Sequence, residues 1–157
     1  MTGDEQRSPS DIDRPRPAHL SLANIGLVGF GGSVGTGLRY LITELTPRTA
    51  GVPIATLSIN VIGAFLLGVL LEFLAEHGLR AAWSRRLWLG VGTGGLGGFT
   101  TYSTLATETV LLTASHPGRA IAYAVGTVSI GAAASIGGIW LSRRHLRRSN
   151  DEGESEE

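Results

Sequence analysis

The sequence predicts an all-α membrane protein with four transmembrane helices and a break in the third. Charged residues crowd the two ends and a few short spacers of the 157-residue chain, leaving uncharged windows at 17–38, 49–71, 87–107 and 120–142. Each window holds 21 to 23 residues, and at ~1.5 Å of rise per helical residue that length crosses a hydrocarbon core of ~30 Å. The third window contains Gly92-Thr-Gly-Gly-Leu-Gly-Gly98, five glycines in seven residues. So much glycine should interrupt a helix, because each one costs about 1 kcal/mol relative to alanine.

The first helix is expected over about 21–44. Its stretch Gly29-Phe-Gly-Gly-Ser-Val-Gly35-Thr-Gly37-Leu-Arg39-Tyr40 superficially suggests a nucleotide-binding loop. The G-x-G-x-x-x-G spacing is wrong for that, no acidic residue follows about twenty positions later, and strands do not alternate with helices. In a membrane the stretch reads as a close-packing face, with Gly31 and Gly35 one turn apart, closed by an arginine able to snorkel or cap carbonyls. The second helix is expected over 52–76, after the turn marked by Pro47 and Gly51-Val-Pro53, and ends at His77-Gly78. A third spans 85–114 and a fourth, rich in glycine and alanine, 118–142. Residues 1–20 and 143–157 are polar tails with little to bury, the first expected to be disordered and the second so after Leu146.

Composition excludes several classes. The absence of cysteine removes disulfides and thiolate chemistry. The four histidines, at 19, 77, 116 and 145, fall at window edges or in connections without ligand or general-base spacing. Short connections leave no room for a catalytic domain, so an enzyme is not expected, nor is a nucleic-acid partner. The chain has no lysine, and its arginines divide unevenly. Arg7, Arg14, Arg16, Arg80, Arg85, Arg86, Arg143, Arg144, Arg147 and Arg148 fall on one side, Arg48 and Arg119 on the other. Ten against two places both termini in the cytoplasm.

Two polar features lie inside the spans. Asn60 sits several residues into the second window, where a carboxamide must find partners; it reads either as interhelical glue or as part of a polar track shared with Thr56, one turn away. The glycine-rich stretch runs into Thr100-Thr-Tyr-Ser-Thr104. Breaking a helix in lipid frees carbonyls and N–H groups that only protein, water or an ion can satisfy. Carbonyls at such a break can converge on a hard cation, and the restarting helix turns its positive end toward an anion. The simpler alternative is a flexible kink capped by threonines.

The blocks GFGGSVGTGLRY, ATLSINVIGAFLLG and GTGGLGGFTTYST, in this order across four spans, resemble the Fluc/CrcB fluoride channels of microbial membranes. The resemblance covers about residues 22–142. It implies four-helix subunits that pair as an antiparallel dual-topology dimer and export fluoride passively through narrow pores, with a structural sodium ion held centrally by main-chain carbonyls. Those carbonyls map to Gly97 and Thr100. The fluoride pathway maps to Asn60, Ser103 and Thr104, with Tyr102 as an aromatic rim and Thr56, Tyr123 and Thr127 on neighbouring faces; Arg39 matches the structural arginine closing the first helix. Two departures stand out. Where the family pattern is Phe-Ser-Thr-Phe, this chain has Tyr102-Ser103-Thr104-Leu105. The arginine imbalance also argues against one sequence inserting both ways, and points to a heterodimer with a homologous subunit of opposite orientation.

Two other classes compete. A proton-coupled multidrug exporter would need a carboxylate deep in a span, and Glu44, Glu72 and Glu108 all lie near window ends, with Glu108 the best candidate. A non-conducting scaffold subunit would be explained by Tyr102 and Leu105.

Overall fold

A computed structural model describes residues 21–47, 53–78 and 82–154, with side chains described as far as residue 145. The N-terminal tail, with Arg7, Arg14 and Arg16, and the connections holding Arg48 and Arg80 lie outside the described residues. The described chain is all helical: α1 (Leu22–Leu45), α2 (Ile54–His77), α3 (Ala82–Leu87), a π-helix (Trp88–Leu96), α4 (Gly97–Phe99), α5 (Tyr102–Ser115) and α6 (Pro117–Glu154). α1, α2 and the portion of α6 up to His145 are each long and apolar enough to cross a membrane. Between α2 and α6 runs the composite third segment, residues 82–115. Large apolar side chains such as Phe30, Val34, Leu41, Ile121, Val125 and Ile136 are exposed on the outside, a surface suited to hydrocarbon or to another protein. The chain is a multi-pass membrane protein.

Local chemistry explains the ends. α2 stops where Gly78 takes φ 82°, a left-handed value that glycine adopts without penalty. His116 adopts non-helical angles before Pro117, which opens α6 at the position where a missing N–H costs nothing. The last helix continues to Glu154, well past the expected 142. Hydropathy ends near residue 142, but no proline interrupts the polar residues that follow, so the backbone keeps its helical bonds.

The break is not where the glycines are. Residues 88–99 are helical throughout, and among the described glycines only Gly78 has positive φ. The interruption comes after them, at Thr100 (φ −77°, ψ 157°) and Thr101 (φ −147°, ψ 116°), both extended. The expectation that glycine supplies the unusual backbone is therefore corrected. Close approach is the reason for glycine at Gly94 and Gly98. A Cβ on Gly94 would stand 2.6 Å from the Val28 carbonyl oxygen, and one on Gly98 would stand 2.5 Å from that of Gly32. α1 thus lies backbone to backbone along the π-helix and α4. Nine residues of π-helix is long for a form usually met as a single-turn bulge, often at functional sites. α2 packs on α6 in the same manner, with Gly68 against the Ser135 backbone and Gly138 against the Phe65 and Val69 backbones.

Candidate functional site

The site is built around Thr100 and Thr101. In an unbroken helix the Thr101 N–H would donate to the Gly97 carbonyl. Here it donates to Asn60 Oδ1 at 2.8 Å, while Asn60 Nδ2 donates back to the Thr101 carbonyl at 3.1 Å. One carboxamide on α2 thereby pairs with both main-chain groups of Thr101, as a neighbouring strand would. Thr101 in turn caps α5. Its Oγ1 accepts from the Thr104 N–H at 3.1 Å, donates to Thr104 Oγ1 at 2.9 Å and lies 3.2 Å from Ser103 Oγ. The Thr104 N–H is the donor that the Thr100 carbonyl would have received. Among the described residues, no hydrogen bond falls on the carbonyl oxygens of Gly97 or Thr100.

Gly98, between them, is treated differently. Its carbonyl accepts from Arg39 Nε and from Thr36 Oγ1, each at 3.3 Å, both reaching across from α1. On the other flank Asn60, Gly97, Thr100, Thr101 and Tyr102 line an open groove of about 500 Å³, continued by Leu105 and Thr127.

A second cluster lies one helical turn along α2. Thr56 Oγ1 donates to Glu108 Oε1 at 2.9 Å, and the Tyr123 hydroxyl donates to Glu108 Oε2 at 2.7 Å. Thr56 and Tyr123 are only 4% and 6% exposed, so this carboxylate is held by hydroxyls inside the bundle. Thr127 is buried too, but its Oγ1 donates to the Tyr123 carbonyl of its own helix at 2.7 Å.

The residues singled out from sequence are thus distributed unevenly. Asn60, Ser103, Thr104, Gly97 and Thr100 gather at the break, while Thr56 and Tyr123 gather at Glu108. Arg39 braces the break from α1, and Tyr102 is 81% exposed beside the groove, its hydroxyl without a hydrogen bond among the described residues. Sequence reasoning left Thr101 out of the site, although it is the hub of the break. It also placed Glu108 near a span's end, outside the site. Glu108 is four residues after Thr104, and that spacing puts the two on one face of α5, a signal the uncharged-window criterion passed over.

Residues 26–139 match the sequence profile described as CrcB-like protein, Camphor Resistance (CrcB). Similar proteins include the fluoride-specific ion channel FluC 2 of Leifsonia xyli subsp. xyli, 48% identical over 80% of this chain and 87% of the relative. Another is the fluoride-specific ion channel FluC of Phenylobacterium zucineum, 40% identical over 75% of this chain and 94% of that one. A third, carrying the same name in Methanopyrus kandleri, is 39% identical over 76% of this chain and 89% of its own length. The match runs through α1, the broken third segment and most of α6, so the chain belongs to the Fluc/CrcB family, a family of ion channels and not of enzymes.

Proposed function

We propose that the chain is a subunit of a fluoride-selective passive channel that exports fluoride and lowers its concentration in the cytoplasm. Fluoride enters from acidic surroundings as the neutral acid and is trapped as the anion in a more alkaline interior. A selective pore therefore suffices, without energy coupling. The observation that carries this reading is the break at Thr100–Thr101, flanked by a mostly apolar groove into which Asn60, Thr100, Thr101 and Tyr102 bring the polar groups, in a chain whose relatives are named fluoride-specific channels. The pathway in this reading runs past Asn60, Tyr102, Ser103 and Thr104 and along the Thr56, Tyr123 and Thr127 faces. Selectivity rests on a passage that only a small anion crosses while exchanging water for protein donors.

The reading includes a structural sodium ion at the centre of an antiparallel dimer, bound by the Gly97 and Thr100 carbonyls of both subunits. The residues fit a hard cation. Both oxygens lack the donors an unbroken helix would give them, and main-chain oxygen is a ligand type such an ion accepts. The ion would supply charge to hold two facing breaks together. The arginine imbalance favours a heterodimer with a homologous subunit of opposite orientation, in the cell membrane, with this chain's termini cytoplasmic.

Efflux from liposomes holding this chain, alone and with such a homologue, tests the proposal. Fluoride efflux without chloride efflux is expected, larger in the paired sample. Equal passage of chloride, or no fluoride efflux from either preparation, overturns it. A second reading draws on one observation: Glu108, bonded by Thr56 and Tyr123, is a half-buried carboxylate of the kind a proton-coupled exporter needs. Glu108→Gln distinguishes them, since an exporter would lose proton-driven substrate movement while a passive channel has none to lose.

A further inference from the structure

The structure assigns to Asn60 and Thr101 a positioning role: they keep the third segment open by taking the two main-chain donors that would otherwise close it onto the Gly97 and Thr100 carbonyls. The inference rests on the reading that those carbonyls bind sodium, and goes beyond it by saying what makes them available.

A helix in lipid closes its own hydrogen bonds wherever it can, because nothing else in hydrocarbon offers partners. Left alone, the Thr101 N–H would return to Gly97 and the Thr104 N–H to Thr100. Each is instead bound at close to ideal distance by a side-chain oxygen, Asn60 Oδ1 at 2.8 Å and Thr101 Oγ1 at 3.1 Å. The return bond from Asn60 Nδ2 to the Thr101 carbonyl fixes the amide's orientation and holds Thr101 extended. Glycine plays no part in this, since the glycines from Gly90 to Gly98 all lie within helix and none of them has a positive φ. Gly98 marks the limit of the effect: its carbonyl, between the two, is claimed by Arg39 and Thr36 and is not left for a ligand. Asn60 thus acts on the cation site through Thr101 without touching the ion.

The test measures the sodium dependence of the thermal unfolding midpoint of the purified channel, with sodium replaced isosmotically by a large organic cation, alongside fluoride efflux. Asn60→Leu keeps the volume and removes both hydrogen bonds; the sodium concentration for half-maximal stabilisation should rise at least about tenfold, the equivalent of losing one or two hydrogen bonds. Asn60→Asp keeps the acceptor for the Thr101 N–H and should restore most of the sodium response, even where its charge slows fluoride. Thr101→Val, which keeps the shape and loses the cap, should raise the sodium requirement less. A residue serving only the anion pathway would cut efflux in both Asn60 variants and leave the sodium response alone. That outcome overturns the inference while the channel reading stands. Wild-type protein indifferent to sodium overturns the cation reading and this inference together. If Asn60→Leu fails to fold, an unchanged sodium requirement in Thr101→Val overturns the inference by itself.

Discussion

The two flanks of the third segment solve opposite problems. Toward α1 the segment presents glycine, and the contact is backbone on backbone, with Gly94 and Gly98 pressed on Val28 and Gly32. Toward α2 it presents threonine, and the contact is side chain to backbone, with Asn60 pairing with Thr101. The first flank keeps the chain continuous and close; the second interrupts it. Glycine is the residue one would blame for a broken helix, yet here it is the threonines, partnered by an asparagine on another helix, that divert the hydrogen bonds. Interruption in a membrane depends on who accepts the freed N–H groups more than on local stiffness.

The sharpest way to break this comparison uses two adjacent glycines. Gly98→Ala puts a methyl group 2.5 Å from the Gly32 carbonyl oxygen and 3.0 Å from its Cα, so backbone must move; overpacking of this kind costs about 1–3 kcal/mol. Gly97→Ala meets nothing within 4 Å in the single chain and should leave its folding nearly unchanged. Unfolding of both variants in detergent, read by circular dichroism, checks the difference. Equal losses would mean that the glycines serve conformation after all. A Gly97→Ala protein that folds normally but fails to form the proposed dimer would place the proposed partner subunit against that open face.

Next in size is the half-buried carboxylate of Glu108. Tyr123→Phe removes one of the two hydroxyl donors of Glu108 and leaves Oε2 without its partner. Hydrogen bonds between membrane helices are worth about 0.6 kcal/mol on average and up to about 1.7, and a charged acceptor lies toward the upper end. We expect a stability loss near that value and slower fluoride efflux, measured on the same preparation. Unchanged efflux would confine the pathway to the break and exclude the Thr56, Glu108 and Tyr123 cluster from it.

A smaller effect is expected at Arg39. Its bond to the Gly98 carbonyl is long, 3.3 Å, and Thr36 offers a second donor to the same oxygen at the same distance. Arg39→Met keeps the aliphatic stem and should cost about 0.5–1 kcal/mol, with the sodium response retained. A lost sodium response would make α1 a co-determinant of the break and blur the distinction between the flanks.

How much of this was legible in the sequence follows from the kind of signal each feature leaves. The helices expected over 21–44 and 52–76 stand beside Leu22–Leu45 and Ile54–His77 in the structure; a span leaves a readable trace because burial in lipid constrains every residue of it. The end of α6 was missed since hydropathy reports the membrane's edge, not the helix's, and helical bonds persist to Glu154. The third segment was expected to break, but glycine content cannot tell close approach from a bend; only the positions facing Val28 and Gly32 decide. Thr101 and Asn60 are forty-one residues apart, and their pairing depends on how α2 lies against the break, which no local pattern encodes. Glu108 escaped for the same reason, because its two hydroxyl partners come from α2 and α6.

The smallest effect belongs to the ion pair between Arg143 and Glu72, and its smallness is informative. α6 and α2 touch through Gly138 on the Phe65 and Val69 backbones and Gly68 on Ser135, the same device that holds α1 to the third segment. The ion pair bridges these two helices at 2.7 Å, but the Arg143 side chain is 60% exposed, where water screens the attraction and ordering two long side chains offsets what remains. Arg143→Gln should therefore leave the unfolding midpoint unchanged within error. It should also leave the orientation of the chain unchanged, since it removes one of ten basic residues on the richer side. A clear drop in midpoint would show that the α2–α6 contact depends on charge and not on backbone proximity, and the parallel between the two glycine-lined contacts would fail.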